Sequence, residues 1–309
     1  MDALAAVRRL ARSRDGIVTL RQARAAGFTT HEVQRLCRAG HWRVVTRGSY
    51  LVDADLYGGV PRRARIRAAL ESFGPSAAAV LATAAELHGL AGLRATESIH
   101  LSVPGPTARP ARIAHPEVVV HQLVIPSEQL VRVDGLIATE PLRTLADVSL
   151  RVDRFSAVSV LDSALNRRLV TAEDLLALPR LIRGRRGAIA ARAFLAEVDG
   201  RAQSPLETRA RLRCVDGRVP PDALQLEVRD DDGYLLGIGD LGWRGYQLIA
   251  EADGRDPHGL PDAVFADRHR QNRLVNAGWT LLRFTWQDTL RPDYIPWSVR
   301  QAMAAARHR

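Results

Sequence analysis

The chain has 309 residues, is 46% hydrophobic and 25% charged, and carries a formal net charge of +10. That length supports two or three domains, each able to bury its own core, and the composition is that of a soluble globular protein. Cys37 and Cys214 are too few and too far apart for a disulfide framework or a zinc site.

The opening MDALAAVRRLARSRDG has no uninterrupted apolar run, so no signal peptide is expected. The longest apolar-rich stretch, Ala77 to Leu93, is broken by Glu86 and His88 and is too short to span a bilayer. A cytoplasmic protein with reduced thiols and no membrane partner is the expectation. All 44 basic residues are Arg, and residues 1–70 hold 14 of them against five acids. Residues 71–200 are balanced at 14 and 14, so nearly all of the surplus is local. A basic module confined to one end points to a polyanion, and DNA is the expected partner.

Residues 2–14 read as an amphipathic helix with Leu4, Val7, Leu10 and Ala11 on one side, stopped at Asp15-Gly16. Thr19 is placed to cap a helix from Leu20 to Ala26, and Thr29 or Thr30 to cap another from His31 to Ala39. The alternating run HWRVVTRGSYLV then reads as a hairpin turning at Arg47-Gly48. Three helices and a hairpin predict a winged helix-turn-helix over residues 1–60. On the third helix Val33, Leu36 and Cys37 face inward, which leaves His31, Gln34, Arg35 and Arg38 on the outer face. Such side chains reach base edges in a major groove, while Arg43 and Arg47 on the wing suit phosphates. A merely solvated face has the same pattern; the local charge surplus favours DNA.

The Arg-rich helix PRRARIRAALESFG is expected to continue the basic surface. A small α/β unit follows over 61–180: a helix in SAAAVLATAAELHGL, strands at Ser98–Val103 and Val118–Ile125 around a Pro-rich loop, and a helix in LIATEPLRTLADVSL capped by Thr139. Further helices are expected at Arg154–Arg168 and Thr171–Leu178. His88, His100, His115 and His121 stand singly in sequence and form no catalytic set. Residues 181–199, with LIRGRRG, read as a linker or as the cap of a helix from Ala188 to Val198.

The last domain, 200–309, holds the richest chemistry. Ser204 and Glu207 have capping-box spacing at the head of a helix. Strands at Tyr234–Leu241 and Tyr246–Ala252 form a hairpin around Arg244-Gly245. A two-residue turn there sets Asp240 opposite Ile249 and makes Glu251 its diagonal neighbour, with Asp253 extending the same face. Acids gathered in apolar strand sequence repel one another, and a shared Mg²⁺ or Mn²⁺ is the expected remedy. Downstream, Arg268 and Asn272 share one face of a helix from Asp267 to Val275, and Arg283 lies within the strand Thr280–Thr285. Arg268 and Asn272 suit a scissile phosphate or a water, or else salt bridges to the preceding Asp-rich loop, and Arg283 suits a carboxylate or a phosphate. A last helix is expected at Trp297–Ala305.

Five ordered blocks then carry a resemblance: SPLE from Ser204, GDLGW from Gly239, EADG from Glu251, DRHRQN from Asp267 and GWTLLRFT from Gly278. Together they resemble the small nuclease-like domain of the very-short-patch-repair endonucleases, in the PD-(D/E)xK superfamily. The N-terminal half, with SAAAVLATAAELHGL and LIATEPLRTLADVSL, resembles the AbiEi-type antitoxin proteins of actinobacteria. The resemblance implies an α/β (α+β) chain whose C-terminal domain is a three-layer restriction-endonuclease-like fold. It implies metal ligation by Asp240 and Glu251, with Glu207 an accessory acid and Asp253 in the catalytic set. Asp253 stands where that superfamily usually has Lys. Two functions are therefore expected: a DNA-binding, Mg²⁺-dependent endonuclease, or a transcriptional regulator and antitoxin with a non-catalytic nuclease fold and a cognate toxin partner.

Overall fold

The computed structural model describes residues 2–103, 117–254 and 261–307, and of residues 261–266 the backbone alone. The Pro-rich loop and His115 lie outside the described residues. The fold is α+β, with three separate sheets. It divides into two compact units, Met1–Gly89 with Arg94–Val148, and Leu90–Leu93 with Ser149–Arg309.

The first unit begins with the winged helix: α1 (Ala3–Arg12), β1 (Ile17–Thr19), α2 (Leu20–Ala25), α3 (Thr30–Arg38), β2 (Arg43–Thr46) and β3 (Ser49–Leu51). Both caps are reciprocal boxes, Thr19 with Gln22 and Thr29 with Glu32, so each helix start has its backbone donors satisfied by its own sequence. Beyond the expected hairpin, Ile17–Thr19 joins β3 and makes a three-stranded sheet. Val7, Val18, Val33 and Trp42 form the core, with the Trp42 ring 5.5 Å from Phe28 and 6.2 Å from Tyr50. Gly48 has φ +80° at the wing turn, a conformation that disfavours side chains with a Cβ.

Helix α4 (Arg62–Phe73) packs Ala64 and Ala68 against Ile17, Val45 and Leu51 of that sheet. Its arginines do not extend the basic surface as expected. Arg62 pairs with Glu86 at 3.0 Å, Arg63 with Asp15 at 2.9 Å, and Arg67 with Asp15 at 2.7 Å. Arg65 pairs with Glu97 and Glu117. These cations are consumed inside the unit, joining the winged helix to the next layer.

That layer is a five-stranded sheet in the order β6-β5-β4-β8-β7. Its strands are β4 (Ala78–Ala79), β5 (Ile99–Ser102), β6 (Val118–His121), β7 (Leu130–Val133) and β8 (Leu136–Thr139), flanked by α5 (Leu81–Leu87) and α6 (Pro141–Ser149). The Ala-rich stretch is thus a central strand followed by a shorter helix. Ala78 and Ala79 fit because both faces of this strand are buried, where small side chains replace alternation. At the head of α6 it is the Glu140 side chain that accepts the Arg143 amide, while Thr139 bonds Thr144 side chain to side chain.

The second unit holds α7 (Arg154–Asn166), α8 (Ala172–Leu175), α9 (Leu178–Leu181) and α10 (Ala188–Leu195), then α11 (Pro205–Asp216). Gly187 is the N-cap position of α10, so LIRGRRG leads into that helix. Buried Asp162 of α7 accepts hydrogen bonds from Thr208 and Arg211 of α11 and from the Asp199 amide. This network groups residues 149–199 with the C-terminal sheet, upstream of the division expected near 181–199. The sheet has order β12-β11-β10-β9, from β9 (Ala223–Arg229), β10 (Leu235–Trp243), β11 (Leu248–Ala252) and β12 (Thr280–Phe284). Helix α12 (Pro261–Asn276) links the parallel pair β11 and β12, and α13 (Trp286–Thr289) and α14 (Tyr294–Ala306) follow. One face packs Leu241, Trp243, Ala250 and Phe284 on α11 and α14; the other packs Leu226, Ile249 and Leu236 on Leu274 of α12. Three layers result. Among the described residues no helix is long and apolar enough to cross a membrane.

Candidate functional site

Two sites follow from this framework, one in each unit. In the winged helix, burying Val33 turns His31, Gln34, Arg35 and Arg38 of α3 outward, and all four are exposed. Arg43 and Arg47 are exposed on the wing. Among the described residues none forms an ion pair with Arg35, Arg38, Arg43 or Arg47. They differ in this from the α4 arginines, each of which already has a carboxylate. Guanidiniums without an ion-pair partner on a helix and its neighbouring wing make a surface of positive potential, although Glu32 lies near enough to Arg35 to feel its charge. The six residues read from the sequence are therefore all presented to solvent.

In the second unit the hairpin turn is longer than two residues, with a 3-10 turn at Arg244–Tyr246 and Gln247 in the left-handed region. The register is Leu241 with Ala250 and Gly242 with Ile249. Continued by one step, it sets Asp240 across from Glu251 rather than from Ile249. The acids are closer in register than expected, on the face covered by α12. Asp240 accepts the Ala252 amide at 2.8 Å and Gln225 Nε2 at 3.3 Å. The same Gln225 amide donates to Glu207 at 3.0 Å. Glu207 also accepts the Gln203 amide at 2.8 Å, one residue outside the Ser204 cap, so the capping box is not reciprocal. Burial pushes the carboxyls of Asp240 and Glu207 above their ordinary values.

Glu251 has a different environment. Arg270 Nη1 lies 2.5 Å from its Oε1 and Arg283 Nη2 lies 3.3 Å from its Oε2. Arg270 also bonds Asp267 at 2.7 Å, and Arg283 bonds Asp267 at 2.5 Å and approaches Asp253 at 3.8 Å. Burial alone would raise Asp267, but Arg283 and Arg270 outweigh it and hold that carboxyl below its ordinary range. Hydrogen bonding to Glu251 raises Arg270 further above an already high value. These groups line a cavity of ≈ 600 Å³. Arg268 and Asn272 are exposed and do not line it, whereas Arg270 and Arg273 do. Arg283 faces carboxylates. Arg270, Asp267 and Gln225 were not picked out by sequence; the i, i+3 spacing of Asp267 and Arg270 was the available signal for two of them.

A hard cation needs several free carboxylate or carbonyl oxygens. Here both Glu251 oxygens face guanidinium nitrogens and both Asp240 oxygens accept N–H donors. No group of three or more acidic, His or Cys side chains suited to a metal occurs among the described residues. As arranged, the residues do not fit Mg²⁺ or Mn²⁺. The cluster is a salt-bridge network that joins β11, β12 and α12.

A family model described as AbiEi antitoxin C-terminal domain matches residues 77–197. A second, described as Transcriptional regulator, AbiEi antitoxin, matches residues 6–52. Both lie upstream of residue 200. Two curated relatives, Uncharacterized protein MT2308 and Uncharacterized protein Rv2248, come from Mycobacterium tuberculosis strains. Each is 34% identical over 242 residues, which is 78% of this chain and 84% of the relative. A solved structure, the RV2827C protein from Mycobacterium tuberculosis, is 18% identical with a TM-score of 0.44. It covers 74% of this chain and 89% of its own.

Proposed function

Because the chain belongs to the AbiEi antitoxin family, we propose that it is a DNA-binding transcriptional regulator of the antitoxin type, with a cognate toxin as its protein partner. The observation that carries this reading is the set of exposed, unpaired Arg35, Arg38, Arg43 and Arg47 beside His31 and Gln34. Helix α3 enters the major groove, where Arg and Gln read base edges, and the wing arginines hold phosphates. The middle sheet and the C-terminal domain then serve as scaffold and partner surface. Fluorescence anisotropy on the DNA upstream of the protein's own gene tests this. Arg35→Ala and Arg38→Ala are each expected to weaken binding by roughly tenfold or more, as loss of a base contact does. Affinity equal to wild type in both variants overturns the assignment.

One observation favours a second reading. The order α11-β9-β10-β11-α12-β12, with Asp240 and Glu251 facing one another on the central strands, supports the likeness to very-short-patch-repair nucleases. In that reading Arg270 and Arg283 must release Glu251 before the site can cut DNA. Supercoiled plasmid incubated with Mg²⁺ or Mn²⁺ distinguishes the two, with Asp240→Ala and Glu251→Ala as controls. The regulator reading expects no nicking that the variants abolish.

A further inference from the structure

Within the first unit a cavity of ≈ 580 Å³ opens where four segments meet: the start of α2, the wing turn, the end of α4 and the β7–β8 hairpin. Its volume is that of a small-molecule site. The inner charges pair with one another, although Arg14 Nε and Glu71 Oε2 are buried without a hydrogen-bond partner. Arg14 pairs with Glu71, and Arg67 bonds Asp15 at 2.7 Å and the Asp134 carbonyl at 3.0 Å. Half-buried Leu20 and Ile137 supply apolar wall.

Three further guanidiniums, Arg21, Arg47 and Arg132, also line the cavity, and all three are exposed. Among the described residues none has a carboxylate within ion-pair distance. They come from three elements far apart in sequence, and Arg21 alone has a carboxylate near enough to feel its charge, the Glu71 that Arg14 already pairs. Like charges brought to one cavity repel, and an anion placed among them removes that cost while forming charge-assisted hydrogen bonds.

We propose that this cavity binds a small organic anion with an apolar body and a terminal phosphate or carboxylate. The acidic group sits among Arg21, Arg47 and Arg132, and the apolar body lies against Leu20 and Ile137. Arg47 is also a wing residue, so a bound anion withdraws it from DNA phosphate and lowers DNA affinity. That consequence rests on the wing contacting DNA, whereas binding of the anion does not.

Titration calorimetry of the full chain without DNA tests the site, with phenyl phosphate as probe and inorganic phosphate and benzyl alcohol as comparison arms. Phenyl phosphate is expected to bind saturably at one site, inorganic phosphate more weakly, and benzyl alcohol not at all. Arg21→Ala combined with Arg132→Ala, both surface changes, is expected to weaken phenyl phosphate roughly tenfold or more. No saturable heat, or equal affinity in the double variant, overturns the site. Inorganic phosphate binding as tightly as phenyl phosphate overturns the apolar subsite. In a parallel arm, phenyl phosphate is expected to weaken DNA binding by wild type. Unchanged DNA affinity at saturating probe overturns the coupling through Arg47, and absence of DNA binding by wild type without probe counts against the regulator reading alone.

Discussion

Arg270 lies 2.5 Å from Glu251 and 2.7 Å from Asp267, so a single α12 side chain ties its helix to the second strand of the hairpin. Arg283, the register partner of Glu251 on β12, closes the same cluster from the other side. Two cations thus fill the place that the sequence suggested for a metal ion.

Replacing both, Arg270→Ala with Arg283→Ala, leaves Glu251, Asp267 and Asp240 without their nearest cations. The group is partly solvated, so the expected loss is about 1–3 kcal/mol in urea unfolding. The freed carboxylates should then take a divalent cation, and millimolar Mn²⁺ should raise Tm in the double variant while leaving wild type unmoved. A wild-type Tm that rises with Mn²⁺ contradicts the account of the cluster.

Asp162 predicts a pH dependence. Burial pushes its carboxyl up from 3.8 to about 6, outweighing the Arg211 guanidinium 2.9 Å away. The folded state therefore binds more protons than the unfolded state between about pH 4 and about pH 6, and this group makes stability fall as pH rises through that window. The span is about 3 kcal/mol by order of magnitude, and the effect is flat above it. Asp162→Asn should remove this part of the slope. Equal slopes for wild type and variant, measured by urea unfolding from about pH 4 to about pH 7, would exclude Asp162 as the source.

Arg67 is only 3% exposed and bonds both Asp15 and the Asp134 carbonyl. Arg67→Ala should cost about 3 kcal/mol, since it leaves Asp15 short of a partner and the carbonyl unsatisfied. Exposed Arg94→Ala should change stability by no more than about 0.5 kcal/mol. The comparison is a pair of thermal melts of the full chain. Equal Tm for the two variants would show that the α4 arginines are not structural.

Much of this was legible in the sequence. Thr19, Thr29 and the outward face of α3 were readable because caps and helix periodicity are local, and the C-terminal strands because their apolar runs are bounded by Gly and Asp turns. What could not be read was pairing across distance. Nothing local in PRRARIRAALESFG says that its arginines meet Asp15, Glu86, Glu97 and Glu117. Strand β4 was hidden because Ala favours helix in isolation and only burial on both faces makes Ala78 and Ala79 a strand. The register of Asp240 depended on a turn of unknown length, and one 3-10 turn moved its partner by two residues.

The central claim, that unpaired arginines on α3 and the wing hold DNA while those of α4 do not, is tested by salt dependence. Affinity for the upstream DNA is measured across a salt series for wild type, Arg43→Ala, Arg47→Ala and Arg65→Ala. Each phosphate contact contributes about 0.9 to the slope of log K against log salt. The account predicts that Arg43→Ala and Arg47→Ala each reduce the slope by about that amount, and that Arg65→Ala leaves it unchanged. A slope lowered by Arg65→Ala and untouched by the wing variants would contradict it.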